Sequence, residues 1–462
     1  MSRLFPLPND AAAAAAGSAF ATPTRGPIRG FHRGVVVLLM TLCLSHVTTA
    51  QPTVERVTSK IPFPRGLALV DLDEDGVDEL FVLSRGRVRG SGGADAKVDD
   101  QAGTIWRVDP ATGEASVFAR PTEPPFKLLD RTLDRPRDDR QTDRPYCTLR
   151  WHEATRSFYL CAFSGVDLPA DDPVAAETGS FSKNYTDAVL GYSVDRGEWF
   201  EVDRHDPQFG ADYPGADGRG WAKGPDNLVA VDDTLIVAAK DNSRLVAYDV
   251  HQPATSPEIV LGDTVRLANR DGEQRTMSGH SALAVTVSSD SFEFGQHSQA
   301  PMFGTQVLRG SWLYVAFRTS GEVIRVPLDR HFSATPVNGM ARTMVRLRPD
   351  EAELLAEFQP WVPETGESAN ITDLSIGPDG DVYVVSAMPA RIYRFTPDPQ
   401  NVRDFVSAGQ PWADLAALTG NRRMKSENVL VTEDGVVYVT SGDAYADDQG
   451  PGLGGTVWRV TE

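Results

Sequence analysis

Cysteine is scarce: the chain of 462 residues has three, and one of them, Cys43, falls in an apolar N-terminal run. That leaves Cys147 and Cys161 with no C-x-x-C spacing, which excludes a dithiol redox motif. Basic residues are in deficit, with 45 Lys and Arg against 64 Asp and Glu. The leader holds Arg3, Arg25, Arg29, Arg33 and Asp10, so the remainder carries 41 basic and 63 acidic residues, a net charge of −22. Such a surface repels nucleic acid and anionic lipid. The charged segment 130–145 mixes both signs and forms no basic patch. Helical periodicity is missing outside "PDEAELLAEF". The signatures G-x-S-x-G, H-E-x-x-H and Walker A are missing as well, and "GPGLGG" (450–455) is a loop before a strand, not a phosphate cradle.

One apolar run stands out. Residues 11–16 are alanine, and Arg25, Arg29 and Arg33 precede "GVVVLLMTLCLS", which is followed by small residues at Thr48 and Ala50. A basic segment, a short apolar core and a small-residue exit read as a secretory signal over residues 1–50, or as an uncleaved anchor. Leu42 before Cys43 does not suit a lipoprotein site. The expectation is a secreted or periplasmic protein with a leader at 1–50 and one domain at 51–462. Beyond an N-terminal anchor it has no membrane partner, and it is a monomer.

The body of the chain repeats. "RGLALVDLDEDGVDELFVLSRG", "DNLVAVDDTLIVAAKDN", "NITDLSIGPDGDVYVVSAMP" and "ENVLVTEDGVVYVTSGD" each pair a short strand, an Asp/Gly turn and a β-branched strand. Third strands follow: "GTIWRVDP", "SRLVAYDV", "ARIYRFTPD" and "GTVWRVTE". A repeated four-stranded meander is a β-propeller blade. The expected blades run over 65–120, 146–204, 226–262, 280–347, 370–408 and 427–462. The sixth is one strand short, and "TVERVTSKI" (53–61) can complete it. The fold class expected is therefore an all-β, six-bladed propeller closed by its N-terminal strand.

The "GPDGDVYVV" and "TEDGVVYVT" turns and the G-T-[IV]-W-R-V strands resemble those of six-bladed NHL-type and SMP-30/gluconolactonase-type propellers. In blade 1, "DLDEDGVDEL" resembles the calcium loop of FG-GAP or VCBS repeats. That resemblance implies Asp71, Asp73, Asp75, the Val77 carbonyl and Glu79 as ligands of a structural Ca²⁺; a solvated Asp-rich turn is the alternative. The loop joins the first two strands of its blade, at the bottom face. Long loops gather on the top face, where 85–103, 164–187 and 441–455 would build a wall.

Innermost strands begin at the top, and Arg65, Asn227, His280, Asn370 and Glu427 lie at those starts. They form the expected ligand site at the channel mouth. SMP-30/gluconolactonase enzymes hold a divalent metal there. The resemblance implies Glu427, Asn227 and Asn370, with Asp373 adding a carboxylate, as its ligands and a lactonase-type hydrolase as the alternative function. A quinone-cofactor sugar dehydrogenase would use a histidine and arginines, for which His280, Arg65 and Arg85 are available. Every enzyme signature is incomplete, so a noncatalytic propeller binding a small-molecule or protein ligand is the leading expectation. Cys147 and Cys161 fall opposite each other in a hairpin centred near Ala154, where an exported protein would join them in a disulfide; two separate buried thiols are the alternative if the chain is not exported.

Overall fold

A computed structural model describes residues 52–85, 88–89, 97–98, 103–121, 146–162, 188–204, 224–239, 244–251, 258–287, 307–337, 340–358, 370–405, 410–422, 424–443 and 455–462. The leader, the charged segment 130–145 and most of the expected loop wall lie outside them.

Tight turns join β-branched strands into hairpins. Gly76, Gly380 and Gly435 hold the same slot in the first turn of blades 1, 5 and 6, with φ of 86°, 82° and 81°. Only a residue without Cβ adopts that conformation cheaply. Blade 1 pairs Pro64–Val70, Glu79–Ser84, Ile105–Val108 and Ala115–Ala119 in sequence order. Blade 2 uses Tyr146–His152, Ser157–Ala162, Ala188–Ser193 and Glu198–Arg204; blade 3 uses Pro225–Val231, Thr234–Ala239, Arg244–Asp249 and Glu258–Leu261. Blade 4 is built on His280–Val287, Val307–Phe317 and Glu322–Val337, and blade 5 on Ile371–Ile376, Val382–Ser386 and Arg391–Phe395. Blade 6 has Met424–Val431, Val437–Asp443 and Gly455–Thr461.

The ring closes as expected: Thr53–Thr58 runs antiparallel to Gly455–Thr461, with Thr53 opposite Thr461. Both chain ends thus share one blade, and no open seam remains. Apolar packing has the same periodicity. Six buried clusters each occupy the gap between two neighbouring blades, from Phe81 with Phe158 (blades 1 and 2) round to Tyr438 with Leu80 (blades 6 and 1). The fold is an all-β six-bladed propeller.

Two blades depart from the boundaries read from sequence. In blade 4, Met340–Leu347 pairs only with the outer part of the long third strand, and Glu353–Glu357 is the fourth strand. The segment with helical periodicity is therefore a 3-10 turn, Pro349–Glu351, followed by this strand. Its adjacent leucines point opposite ways: Leu354 packs toward blade 3 and Leu355 toward blade 5. Burial on both faces hides the two-residue period of a strand. Blade 5 extends past 408. Arg403–Asp404 lies parallel to the edge of blade 4, where Phe405 stacks on Phe358 at 4.6 Å, and only then does Ala413–Asp414 return to pair with Arg391 and Ile392.

The expected disulfide is not shown. Cys147 and Cys161 are register partners, as the hairpin predicted, but both are buried thiols with no bond between them. Cys147 Sγ instead donates to the Pro225 carbonyl at 3.6 Å, in blade 3. Burial pushes the Cys161 thiol well above its ordinary pKa, which keeps it protonated.

Where blades 1 and 2 meet at the channel, their inner strands nearly touch. A Cβ on Gly66 would fall 2.3 Å from the Leu149 backbone nitrogen. Gly66→Ala is expected to cost roughly 2 kcal/mol or more, because backbone rather than a side chain must move. Urea unfolding would check this; an unchanged midpoint would show that the two strands are not held so close.

Candidate ligand site at the mouth of the central channel

Every innermost strand breaks register at the same height. The shifts fall at Pro64/Leu67, Cys147/Leu149, Pro225/Asn227, His280/Ala282, Ile371/Asp373 and Ser426/Val429. A bulge re-aims the side chains beside it. Here those residues include Arg65, Asp226, Asn227, Asp373, Glu427 and Asn428, all buried. Two backbones near this ring are strained: Thr148 has φ 43° and Asn370 has φ 55°. Thr148 is β-branched, for which that conformation is unusual, and its hydroxyl donates to the Asp226 carbonyl at 3.1 Å.

The lower tier is a strut across the channel. Arg150, on the first strand of blade 2, reaches blade 5 on the far side, with its Nη2 3.3 Å from Asp373 Oδ1. Asp373 is fully buried. It also accepts from Asn227 Nδ2 at 2.8 Å, Asn428 Nδ2 at 2.9 Å and the Val429 N–H at 3.1 Å. Arg150 Nη1 donates to the Leu149 carbonyl at 3.1 Å and the Leu67 carbonyl at 3.4 Å. This arrangement forms a floor.

Above it lies a charged tier. Glu427 takes Arg85 Nη1 at 3.1 Å, Lys425 Nζ at 3.3 Å and Arg65 Nε at 3.7 Å. Arg65 Nη2 also reaches Asp226 Oδ1 at 3.3 Å, and Arg318 Nη1 stands 3.8 Å from Asp226 Oδ2. Arg318 Nη2 donates to Asn370 Oδ1 at 3.2 Å. Burial opposes the charge on Arg65, but Glu427, Asp226 and Asp373 more than offset it and hold the guanidinium above its ordinary value. Among the described residues, five cationic side chains in the two tiers meet three carboxylates.

The residues expected at the mouth are thus placed as follows. Arg65 contacts Glu427; Asn227 belongs to the floor; Asn370 joins the upper tier through Arg318; and His280 begins the first strand of blade 4, with its side chain outside what the structure describes. Sequence reasoning missed Arg150, Arg318 and Lys425. Arg318 directly follows the second strand of blade 4, as Arg85 follows that of blade 1, and this shared slot is the signal that could have found it.

A divalent metal would need oxygens that are already engaged. Glu427 carries three cations, and Asp373 carries a guanidinium and three N–H donors. That set fits bound cations of the protein itself rather than a metal ion, which favours carboxylates turned toward it.

The aspartate turn of blade 1 lies at the other end of the channel. Carboxylate oxygens of Asp71, Asp73 and Asp75 lie within 4.8 Å of one another. Asp71 also caps the turn, accepting the Asp75 and Gly76 N–H groups at 3.0 and 2.8 Å. Glu79 turns to the Leu72 N–H at 3.0 Å and to Arg107, and Val77 is exposed.

No protein-family model matches the sequence, and no curated protein does. Solved structures similar to it include an oxidoreductase described as a glucose dehydrogenase from Thermus thermophilus, at 13% identity and a TM-score of 0.41, covering 89% of this chain and 100% of that one. The PQQ-bound aldose sugar dehydrogenase of Streptomyces coelicolor is 11% identical, with a TM-score of 0.41 and 89% and 98% coverage. A gluconolactonase from Xanthomonas campestris is 10% identical, with a TM-score of 0.38 and 89% of each chain covered. Likeness this distant says nothing about chemistry, and the propeller assignment stands on the strand pairing above.

Asp373→Asn keeps the side chain's size but strands the Arg150 charge and turns an amide NH2 toward donors that the carboxylate accepts. Breaking a buried pair on one side costs about 3 kcal/mol, toward the low end because Arg150 keeps some solvent contact. The added loss Arg150→Met imposes on Asp373→Asn should be smaller than its loss alone, and a denaturation double-mutant cycle reads that coupling. Additive losses would disprove the strut.

Proposed function

We propose that the protein binds an oxyanion-bearing small molecule at the channel mouth and is not a metal-dependent lactonase. The observation that carries this reading is the grip of Arg65, Arg85 and Lys425 on Glu427. The one glutamate among the described residues of the ring is thereby committed to cations. Guanidinium forks in a recessed, low-dielectric mouth suit carboxylate or phosphate groups. An acidic side chain of a protein partner could enter in the same way. Export and a monomeric state remain part of the proposal, on the strength of the leader and the closed ring.

Succinate or inorganic phosphate should raise the melting temperature beyond sodium chloride of equal ionic strength. Lactones offered with Ca²⁺, Zn²⁺ or Mn²⁺ should not turn over. Metal-dependent turnover that disappears in folded Glu427→Gln would replace this reading with the hydrolase.

A structural Ca²⁺ at the bottom turn is a separate proposal, supported by the convergence of three aspartates. Asp71, Asp73, Asp75 and the Val77 carbonyl would hold it, with Glu79 left to Arg107. Calcium should raise the wild-type melting temperature, and Asp73→Asn should abolish that rise without changing the response to succinate. A wild-type protein indifferent to calcium removes the ion from the account.

A further inference from the structure

We infer that Arg318 is the residue that recognises the oxyanion at the mouth and that Asn370 positions it; this rests on the anion-binding reading above. Arg318 is the most exposed cation of the cluster, with 27% of its side chain accessible against 8% for Arg65 and 9% for Arg85. Its compensation is the weakest. Among the described residues its one ion-pair partner is Asp226, at 3.8 Å, and Arg65 holds the same carboxylate at 3.3 Å. One carboxylate between two guanidinium groups leaves positive charge at the solvent side, where a ligand arrives.

Asn370 fixes where that charge points. Its Oδ1 accepts from Arg318 Nη2 at 3.2 Å. Its backbone is pinned on both sides: the N–H donates to the Arg318 carbonyl at 3.1 Å, and its carbonyl accepts from Ala387 N at 2.9 Å. The result is a left-handed residue at φ 55°, a conformation asparagine tolerates and glycine prefers. A neutral carbonyl steers the guanidinium without cancelling its charge, as an aspartate there would. The ligand class follows from the fork: an oxyanion that accepts two parallel N–H bonds, either a carboxylate or a phosphate.

The test measures succinate and phosphate binding by calorimetry at fixed ionic strength. Arg318→Gln should weaken whichever anion binds by roughly 10- to 100-fold, the loss of charge-assisted hydrogen bonds. Arg318→Lys should recover part of a phosphate response but little of a carboxylate one, since the fork is gone. Asn370→Gly keeps the left-handed backbone and removes only the steering carbonyl. It should weaken binding with no loss in melting temperature, an outcome a merely structural asparagine would not give. Wild-type protein that binds neither anion would defeat the proposed function itself. Wild-type binding left intact in Arg318→Gln, or in Asn370→Gly, would overturn this inference alone.

Discussion

The buried contact between Arg150 and Asp373 governs the centre of this propeller. Blades 2 and 5 face each other across a ring of six, and this contact joins them directly. A fully buried carboxylate is tolerable only when its oxygens are satisfied. Asp373 meets that condition with a guanidinium from blade 2, an amide from blade 3, and an amide and a backbone N–H from blade 6. Four blades are thereby tied to one side chain. The same contact crosses the channel beneath the residues of the mouth and gives the site a floor.

The site exists because the inner strands are irregular. An unbroken strand would alternate its side chains between the channel and the blade interfaces without exception. The six register shifts suspend that alternation at one height. Neighbouring residues such as Asp226 with Asn227, and Glu427 with Asn428, can then both serve the polar centre. Gly66 shows the cost of the crowding: blade 1 comes so close to blade 2 that a methyl group has no room. Packing between blades, in the six apolar clusters, then supplies the rigidity that holds the charged groups in place.

Much of this was legible in the chain. The Asp/Gly turns and β-branched strands repeat often enough to count blades, and the shortfall of one strand in the last blade predicts the closing pair. Where sequence reading failed, the cause was physical. The strand at Glu353 is buried on both faces, so its apolar run mimics a helix. Blade 5 sends its chain to a neighbour's edge before finishing its own sheet, an excursion that local pattern does not encode. Arg150 reads in "CTLRW" as an ordinary polar position of a strand. Only the ring reveals that its partner is more than 200 positions away.

Electrostatics bears differently on the two chemistries considered for the polar channel. The chain as a whole carries a formal charge of −19, so the long-range field opposes the approach of an anion. The cluster at the mouth works at short range and away from bulk water, where each interaction is stronger than at the surface. Salt screens the distant repulsion more than the recessed attraction. An anion should therefore associate faster as moderate salt is added, while its dissociation changes little. A metal ion faces the reverse: the acidic surface draws it in, and Arg65, Arg85 and Lys425 then stand against it at Glu427. On the proposed reading, a metal ion at Glu427 would need those three side chains to leave contacts already formed, so the charge that attracts a cation to the protein works against it at the mouth.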